Sequence, residues 1–298
     1  MRTAFIEQLI IEARKNDKIF LLVGDLGFSV VEPFEKEFPD RYINVGISEQ
    51  NMAGIAGGLA MNGYVVYCYS IGNFPTLRCI EQIRNDIVYY KSNVRIVSVG
   101  AGYAYGSQGV SHHATEDIGM LRSLPGMMVC TPSDPEETKM LTTLSSSYQG
   151  PMYIRLGKAG ETVFHSQPIK NYIVGDLLPI QVGDKFQTVV LACGSILKYA
   201  VDGNLRGLEY DIYTVPVVKP INQKQLSSIA ERYDNIIVLE EHQKSCGVGS
   251  AIIEQLSDAY NDGRISRFPK VQRKGIDDVF YSVVGSQDYL CEIAGLKF

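Results

Sequence analysis

The stretch Val45-Gly46-Ile47-Ser48-Glu49-Gln50-Asn51-Met52 decides how this chain is read. It runs on as Ala53-Gly54-Ile55-Ala56-Gly57-Gly58-Leu59-Ala60-Met61-Asn62-Gly63, without a further charge. Ser48 suits an N-cap, where a short polar side chain accepts from a free backbone amide. Gly63 suits the left-handed position just past a last helical turn. The stretch therefore predicts a helix opened by Glu49. Small residues at 53, 54, 56, 57, 58 and 60 let another backbone approach closely, so both faces of this helix are expected to be buried. Two influences then act on Glu49. The helix dipole favours its ionised form, and burial favours the neutral one. A carboxyl poised between them suits proton transfer. On spacing alone, a glutamate that merely completes a first turn fits equally well.

Working outward, residues 3–15 read as a helix, and Ile19-Phe20-Leu21-Leu22-Val23 as a strand buried on both faces. That strand empties into Gly24-Asp25-Leu26-Gly27-Phe28-Ser29, and strand ends are where open α/β sheets take ligands. Downstream, strands at 65–70, 94–99, 127–130 and 152–156 alternate with helices near 76–91 and from 135. Asp134 as N-cap, Pro135 at the first helical position and Glu137 two residues on form a strong helix start. Residues 158–185 break the pattern and read as a linker with a short hairpin. A second block has strands at 188–193, 211–215 and 235–239, with helices near 196–208, 222–232 and 247–260. Its polar run over 240–249 reads as a strand-end loop feeding a helix, and the block shows no catalytic constellation of its own. The alternation predicts α/β architecture with two doubly wound, mainly parallel-sheet domains. They are placed at 1–160 and 185–298, with 161–184 as linker.

Composition narrows the function classes. The 298 residues are 45% hydrophobic and 20% charged, as in ordinary globular proteins. A net charge of −5 without a long basic run argues against nucleic-acid binding. No apolar run is long enough to span a membrane, and the opening residues do not read as a signal peptide. Cysteines at 68, 79, 130, 193, 246 and 291 are scattered with no C-x-x-C pair, so neither a zinc site nor a disulfide framework is indicated. A reducing, cytoplasmic setting is expected.

The run Asn44-Val45-Gly46-Ile47-Ser48-Glu49-Gln50-Asn51-Met52 resembles the signature of the pyrimidine-binding domain of transketolase-type thiamine diphosphate enzymes. The resemblance extends over nearly the whole chain, as that domain followed by a transketolase C-terminal domain. It implies that Glu49 bonds N1′ of the cofactor's aminopyrimidine and promotes the tautomer that removes the thiazolium C2 proton. Phe74, in Ile71-Gly72-Asn73-Phe74-Pro75, matches the aromatic that stacks on the aminopyrimidine. Leu26 matches the apolar residue that keeps the cofactor bent. His112, in Gly109-Val110-Ser111-His112, matches the family's Gly-Pro-Thr-His histidine, which contacts the donor carbonyl or its adjacent hydroxyl. The neighbouring His113 is expected to point elsewhere, so the pair forms no metal site. Arg2, Ser29 and Arg155 match positions that hold a substrate phosphate. Without the resemblance, Leu26 reads as core, Arg2 as a mobile terminal residue and Arg155 as a charge at a strand end.

Two departures bear on substrate. Gln108 stands where the family has an aspartate that recognises a sugar hydroxyl, and Gly100 where it has a basic residue. Gln108 can still bond hydroxyls, but a cation is lost, which points towards an unphosphorylated or otherwise modified sugar. The Gly-Asp-Gly motif with a downstream Asn, which holds Mg²⁺ and the diphosphate in these enzymes, has no match here. The resemblance therefore implies a second polypeptide, an N-terminal diphosphate-binding subunit that also holds Mg²⁺, in an α2β2-like assembly. The expected activity is transfer of a two-carbon ketol unit from a ketose to an aldose. The alternatives are the β subunit of a 2-oxoacid dehydrogenase, a deoxyxylulose-phosphate-synthase-like enzyme, and a non-catalytic scaffold subunit.

Overall fold

Twelve strands form two sheets, in a computed structural model that describes residues 1–183, 186–203 and 209–298. In the first sheet, five strands run parallel: β1 (Ile19–Val23), β2 (Tyr42–Asn44), β3 (Val65–Ile71), β4 (Val94–Val99) and β6 (Met152–Leu156). The short β5 (Met128–Cys130) joins them, also parallel, beside β6. The second sheet contains β7 (Leu178–Gln181), β8 (Thr188–Ala192), β9 (Asp211–Thr214), β11 (Asn235–Gln243) and β12 (Lys270–Ile276). Its order is β12-β11-β8-β9-β7, parallel except for β7. β10 (Val217–Lys219) leaves this domain and pairs antiparallel with β5, giving the first sheet the order β10-β5-β6-β4-β3-β1-β2. The two mainly parallel α/β domains are as the strand pattern predicted. Strands β1, β6 and β8 are buried along their whole length, because helices cover both faces of each sheet.

One apolar cluster runs from Leu22, Val66 and Ile96 of the first sheet to Val189, Leu191 and Val238 of the second, so the domains share a core. Among the described residues, no helix is long and apolar enough to cross a membrane.

Several local readings are corrected. The helix opened by Glu49 spans Glu49–Met61, and Gly63 has φ +88° past its end. Only one face is buried. Met52, Ala53, Ala56 and Gly57 pack inward, and a Cβ on Gly57 would lie 2.8 Å from the Asp86 carbonyl. Gly54 and Gly58 face open space. Ser48 makes no side-chain cap; its hydroxyl donates to the Val45 carbonyl at 2.7 Å. The helix expected near 76–91 is a 3-10 turn, one α turn and a wide π-helical segment, Ile83–Val88. Residues 178–181 form no hairpin of their own but pair with β9 across a wide sequence gap. Of the helix expected near 196–208, Leu197–Val201 is helical, and 204–208 lie outside the described residues. The 240–249 run is not a loop throughout: β11 continues to Gln243, burying Glu240, Glu241 and His242.

The helix start at Asp134 carries a pH-sensitive element. Asp134 accepts from the Glu137 amide at 2.8 Å, and Glu137 reaches back to the Ser133 amide at 2.8 Å. Glu137 also accepts from Thr214 of β9 at 2.6 Å, tying the domains together. His165 of the connecting segment lies 3.1 Å from Asp134. Asp134 already accepts the backbone amides of Phe164 and His165, so this trio reads as a hydrogen-bonded lock and not a metal site. Burial pushes the Glu137 carboxyl up to about 7. The folded state therefore keeps a proton that the unfolded chain releases near its ordinary value of 4.5. Glu137's contribution is complete below that value and is lost as pH rises through about 7. Burial pushes Glu240 up to about 7 as well, with the same sign. Urea midpoints should fall between about pH 4.5 and 7, and less steeply in Glu137→Gln; an unchanged slope in the variant would rule out this account.

Candidate active site

Glu49 sits at the C-terminal edge of β1 and β3. It is 1% exposed, although it opens its helix, because Gly24 and Ser70 close over it. A Cβ on Gly24 would lie 3.2 Å from Glu49 Oε1, so a larger residue there would press on the carboxylate. Ser70 Oγ donates to Oε1 at 3.0 Å and Arg78 Nη1 to Oε2 at 2.6 Å. The guanidinium thus compensates a buried charge that would otherwise be costly. The same guanidinium lies 4.5 Å from the centroid of the Phe74 ring. His112 meets that ring edge-on, with centroids 5.1 Å apart. Glu49, Phe74 and His112 are thereby brought together, 63 residues of chain notwithstanding. Ser70 and Arg78 were not singled out in the sequence. Arg78 lies four residues past Phe74, and its position is the only signal that could have pointed to it.

His113 is buried, edge-on to Tyr103 at 4.9 Å, and burial lowers its pKa. It lines a cavity of about 420 Å³ with Asn73, Phe74, Arg78, Glu116 and Phe280. His113 thus faces Tyr103 while His112 faces Phe74, and it still borders the cavity. Gln108 is exposed on a 3-10 turn of the same loop. Leu26 is half-buried two residues past Gly24 and packs on the core behind helix Arg2–Lys15.

Arg2 lies beside Tyr105 and Tyr69; burial raises both phenols while its charge pulls them down. Tyr69 also lies 3.0 Å from where a Gly27 Cβ would stand, which sets Arg2 near the Gly27–Ser29 loop. Ser29 is exposed there at φ +63°. Lys158, not singled out in the sequence, is exposed just past β6 and lies 4.9 Å from the Tyr105 ring centroid.

Arg155 does not join this group. It is 2% exposed, pairs with Asp117 at 2.7 Å, and donates to the carbonyls of Ala114 at 2.7 Å and Glu241 at 2.9 Å. Tyr153 bonds the same Asp117 carboxylate. Burial opposes ionisation of Asp117, but Arg155, His242 and the bonds from Arg155 and Tyr153 outweigh it and hold the carboxyl below its usual range. With Nε and Nη2 engaged and the side chain buried, the phosphate-binding reading of Arg155 does not fit its surroundings. Both faces of β6 are buried, so Arg155 meets Asp117 and not solvent; Lys158, just past the strand, is an exposed cation at this end.

Two mainly parallel α/β domains in this order are the architecture of the pyrimidine-binding and C-terminal domains of thiamine-dependent transketolases. Residues 1–160 match the family profile of the transketolase pyrimidine-binding domain, and residues 182–284 that of the transketolase C-terminal domain. The chain belongs to the transketolase family. It is 33% identical to a protein of Methanocaldococcus jannaschii described as a transketolase C-terminal section, over 99% of this chain and 92% of that protein. It is 30% identical to one subunit of the apulose-4-phosphate transketolase of Phocaeicola vulgatus, over 86% of this chain and 83% of that one. A solved split-gene transketolase, an inactive β4 tetramer, superposes with a TM-score of 0.84 at 32% identity. That match covers 99% of this chain and 93% of the other.

Proposed function

We propose that this chain is the pyrimidine-binding subunit of a heteromeric, thiamine diphosphate-dependent transketolase that moves a two-carbon ketol unit from a ketose to an aldose. The observation that carries the reading is the convergence of buried Glu49, Phe74 and His112 at the strand ends. The residues fit an aminopyrimidine. Glu49 offers a carboxylate to a ring N–H, and Phe74 offers a stacking face. Both places are held by the planar guanidinium of Arg78, which the ring would displace.

Thiamine diphosphate, when bound, supplies the carbon nucleophile that this chain's side chains lack. Glu49 holds the proton at N1′, and the ring of Phe74 keeps water away. His112 donates to or accepts from the donor sugar's carbonyl or adjacent hydroxyl, and Gln108 bonds a hydroxyl. Arg2, Ser29 and Lys158 receive the substrate's anionic end; Lys158 takes the place that the sequence suggested for Arg155. With these cations available, a ketose phosphate is the proposed donor, in keeping with the Phocaeicola relative's named substrate. Replacing Phe74 with alanine should weaken thiamine diphosphate binding about tenfold, the equivalent of ~1.4 kcal/mol for a lost stacking partner. Calorimetry checks this, and an unchanged affinity would remove Phe74 from the site.

The proposed partner is an N-terminal subunit that holds Mg²⁺ and the diphosphate, in an α2β2 assembly. The split-gene and subunit descriptions of the relatives support it. So does the uncovered face of helix Glu49–Met61, where Gly54 and Gly58 leave room for another backbone and Met61 is 71% exposed, with Ile47, just before the helix, 79% exposed. The deciding experiment titrates thiamine diphosphate and Mg²⁺ into the chain alone and into the chain mixed with its partner. A ketose–aldose assay then compares xylulose 5-phosphate with xylulose as donors. Binding and transfer confined to the mixture support the reading, and tight binding by the chain alone contradicts it.

A further inference from the structure

The segment that carries Gln108, His112 and His113 is closed at its base. The Gly102 amide donates to the Ala114 carbonyl at 3.0 Å and the Ala114 amide to the Gly102 carbonyl at 2.9 Å. What holds this closed loop in place comes from the second domain. Glu241, 2% exposed near the end of β11, accepts from the Tyr103 amide at 2.8 Å. The same carboxylate accepts from Gln287 Nε2 at 2.8 Å and Cys291 Sγ at 3.3 Å, both on helix Gln287–Ile293. Gly102 has φ +58°, and a Cβ there would lie 2.3 Å from Glu241 Cδ, so the backbone approaches this carboxylate as only glycine can. Tyr103, once bonded, packs edge-on against His113. Below the loop, the Gln243 amide of β11 donates to the Thr115 carbonyl at 2.9 Å. Leu290 meets Gly106, where a Cβ would lie 2.3 Å from its Cδ1.

A carboxylate sunk in an apolar interface is expensive to keep. A charged acceptor on a backbone amide is also stronger and more directional than a neutral one. Hydrophobic packing alone would join the two domains, as the shared core already does. What packing does not do is set the height and tilt of one loop to a few tenths of an ångström.

We propose that the C-terminal domain takes part in the reaction by holding the 102–114 loop, with Glu241 as the positioning residue that fixes Tyr103 and, through the closed loop, His112. The catalytic consequence rests on the substrate role given to His112 above. Errors of about 1 Å in a positioned group cost on the order of a hundredfold in rate, so loss of this tether is felt in ketose handling. Cofactor binding depends on Glu49 and Phe74, which stand on other segments and share with the loop only the His112 edge of the Phe74 ring, so it changes little.

The test uses the complex of this chain with its partner subunit. Glu241→Ala should raise amide hydrogen exchange across 103–113. It should also lower kcat/KM for the best ketose phosphate by about tenfold or more, with thiamine diphosphate affinity within about twofold of the parent. Glu241→Gln, whose carbonyl still accepts from the Tyr103 amide, should recover exchange and kcat/KM to within about threefold. Gln287→Leu, which leaves Glu241 in place, should give a smaller change of the same kind and covers the case in which Glu241→Ala fails to fold. Unchanged exchange over 103–113 in Glu241→Ala overturns the tether. Raised exchange with unchanged kcat/KM overturns its part in the reaction, provided His112→Ala is impaired. If His112→Ala is itself unimpaired, the failure belongs to the substrate role of His112, and the exchange result still decides the tether.

Discussion

Turnover of the assembled enzyme should fall by at least about a hundredfold when Glu49 is replaced by glutamine, and should vanish within detection when it is replaced by alanine. Glutamine keeps the size of the side chain and can still accept from Ser70. It cannot compensate Arg78 or exchange a proton with N1′ as a carboxylate does. Arg78 is partly exposed and can turn to solvent, so the fold should survive. Thermal unfolding of the variant close to that of the parent, together with lost ketol transfer, is the expected pair of results. Transfer at the parental rate would instead sink the catalytic assignment of Glu49 and leave it as a residue that only completes a helical turn.

Replacing Arg155 with methionine should cost about 3–5 kcal/mol of stability, because Asp117 would be left buried and charged without its partner. Asp117 already has one carboxylate oxygen without a hydrogen-bond partner, so little remains to absorb the change. The carbonyls of Ala114 and Glu241 would lose their donor at the same time. Urea unfolding measures the loss. The competing expectation, that Arg155 holds a substrate phosphate, gives the opposite pattern: ordinary stability with a raised KM for phosphorylated ketoses alone. Lys158→Ala should show that second pattern if Lys158 is the cation at this strand end.

Glu49, Phe74 and His112 were singled out because each stands in a short contiguous run that resembles a motif of the family; spacing alone left Glu49 equally readable as a residue that completes a helical turn. The strands were legible for a related reason. A strand buried on both faces reads as a nearly continuous apolar run, as 19–23 and 189–192 do. Arg155 shows where this kind of reading stops. A single cation in an apolar strand looks the same whether it points to a ligand or to an aspartate 38 residues away. Arg78 was missed because its use depends on Glu49 lying across a different loop. Glu241 was read as part of a loop because β11 extends into a polar stretch, which only pairing with its neighbour and burial by the first domain can stabilise.

By itself, then, the sequence determined the two α/β domains, the helix opened by Glu49 and the family to which the chain belongs. These follow from local periodicity and from contiguous motifs. The tertiary structure decided which polar side chains act outward and which are used up inside. It turned Arg155 into a structural ion pair, set Arg78 on Glu49 and Phe74, left one face of the Glu49 helix open, and brought Glu241 under the loop of His112. Each of these outcomes depends on partners far apart in the chain. Only the folded arrangement states whether a buried charge has met its counterpart.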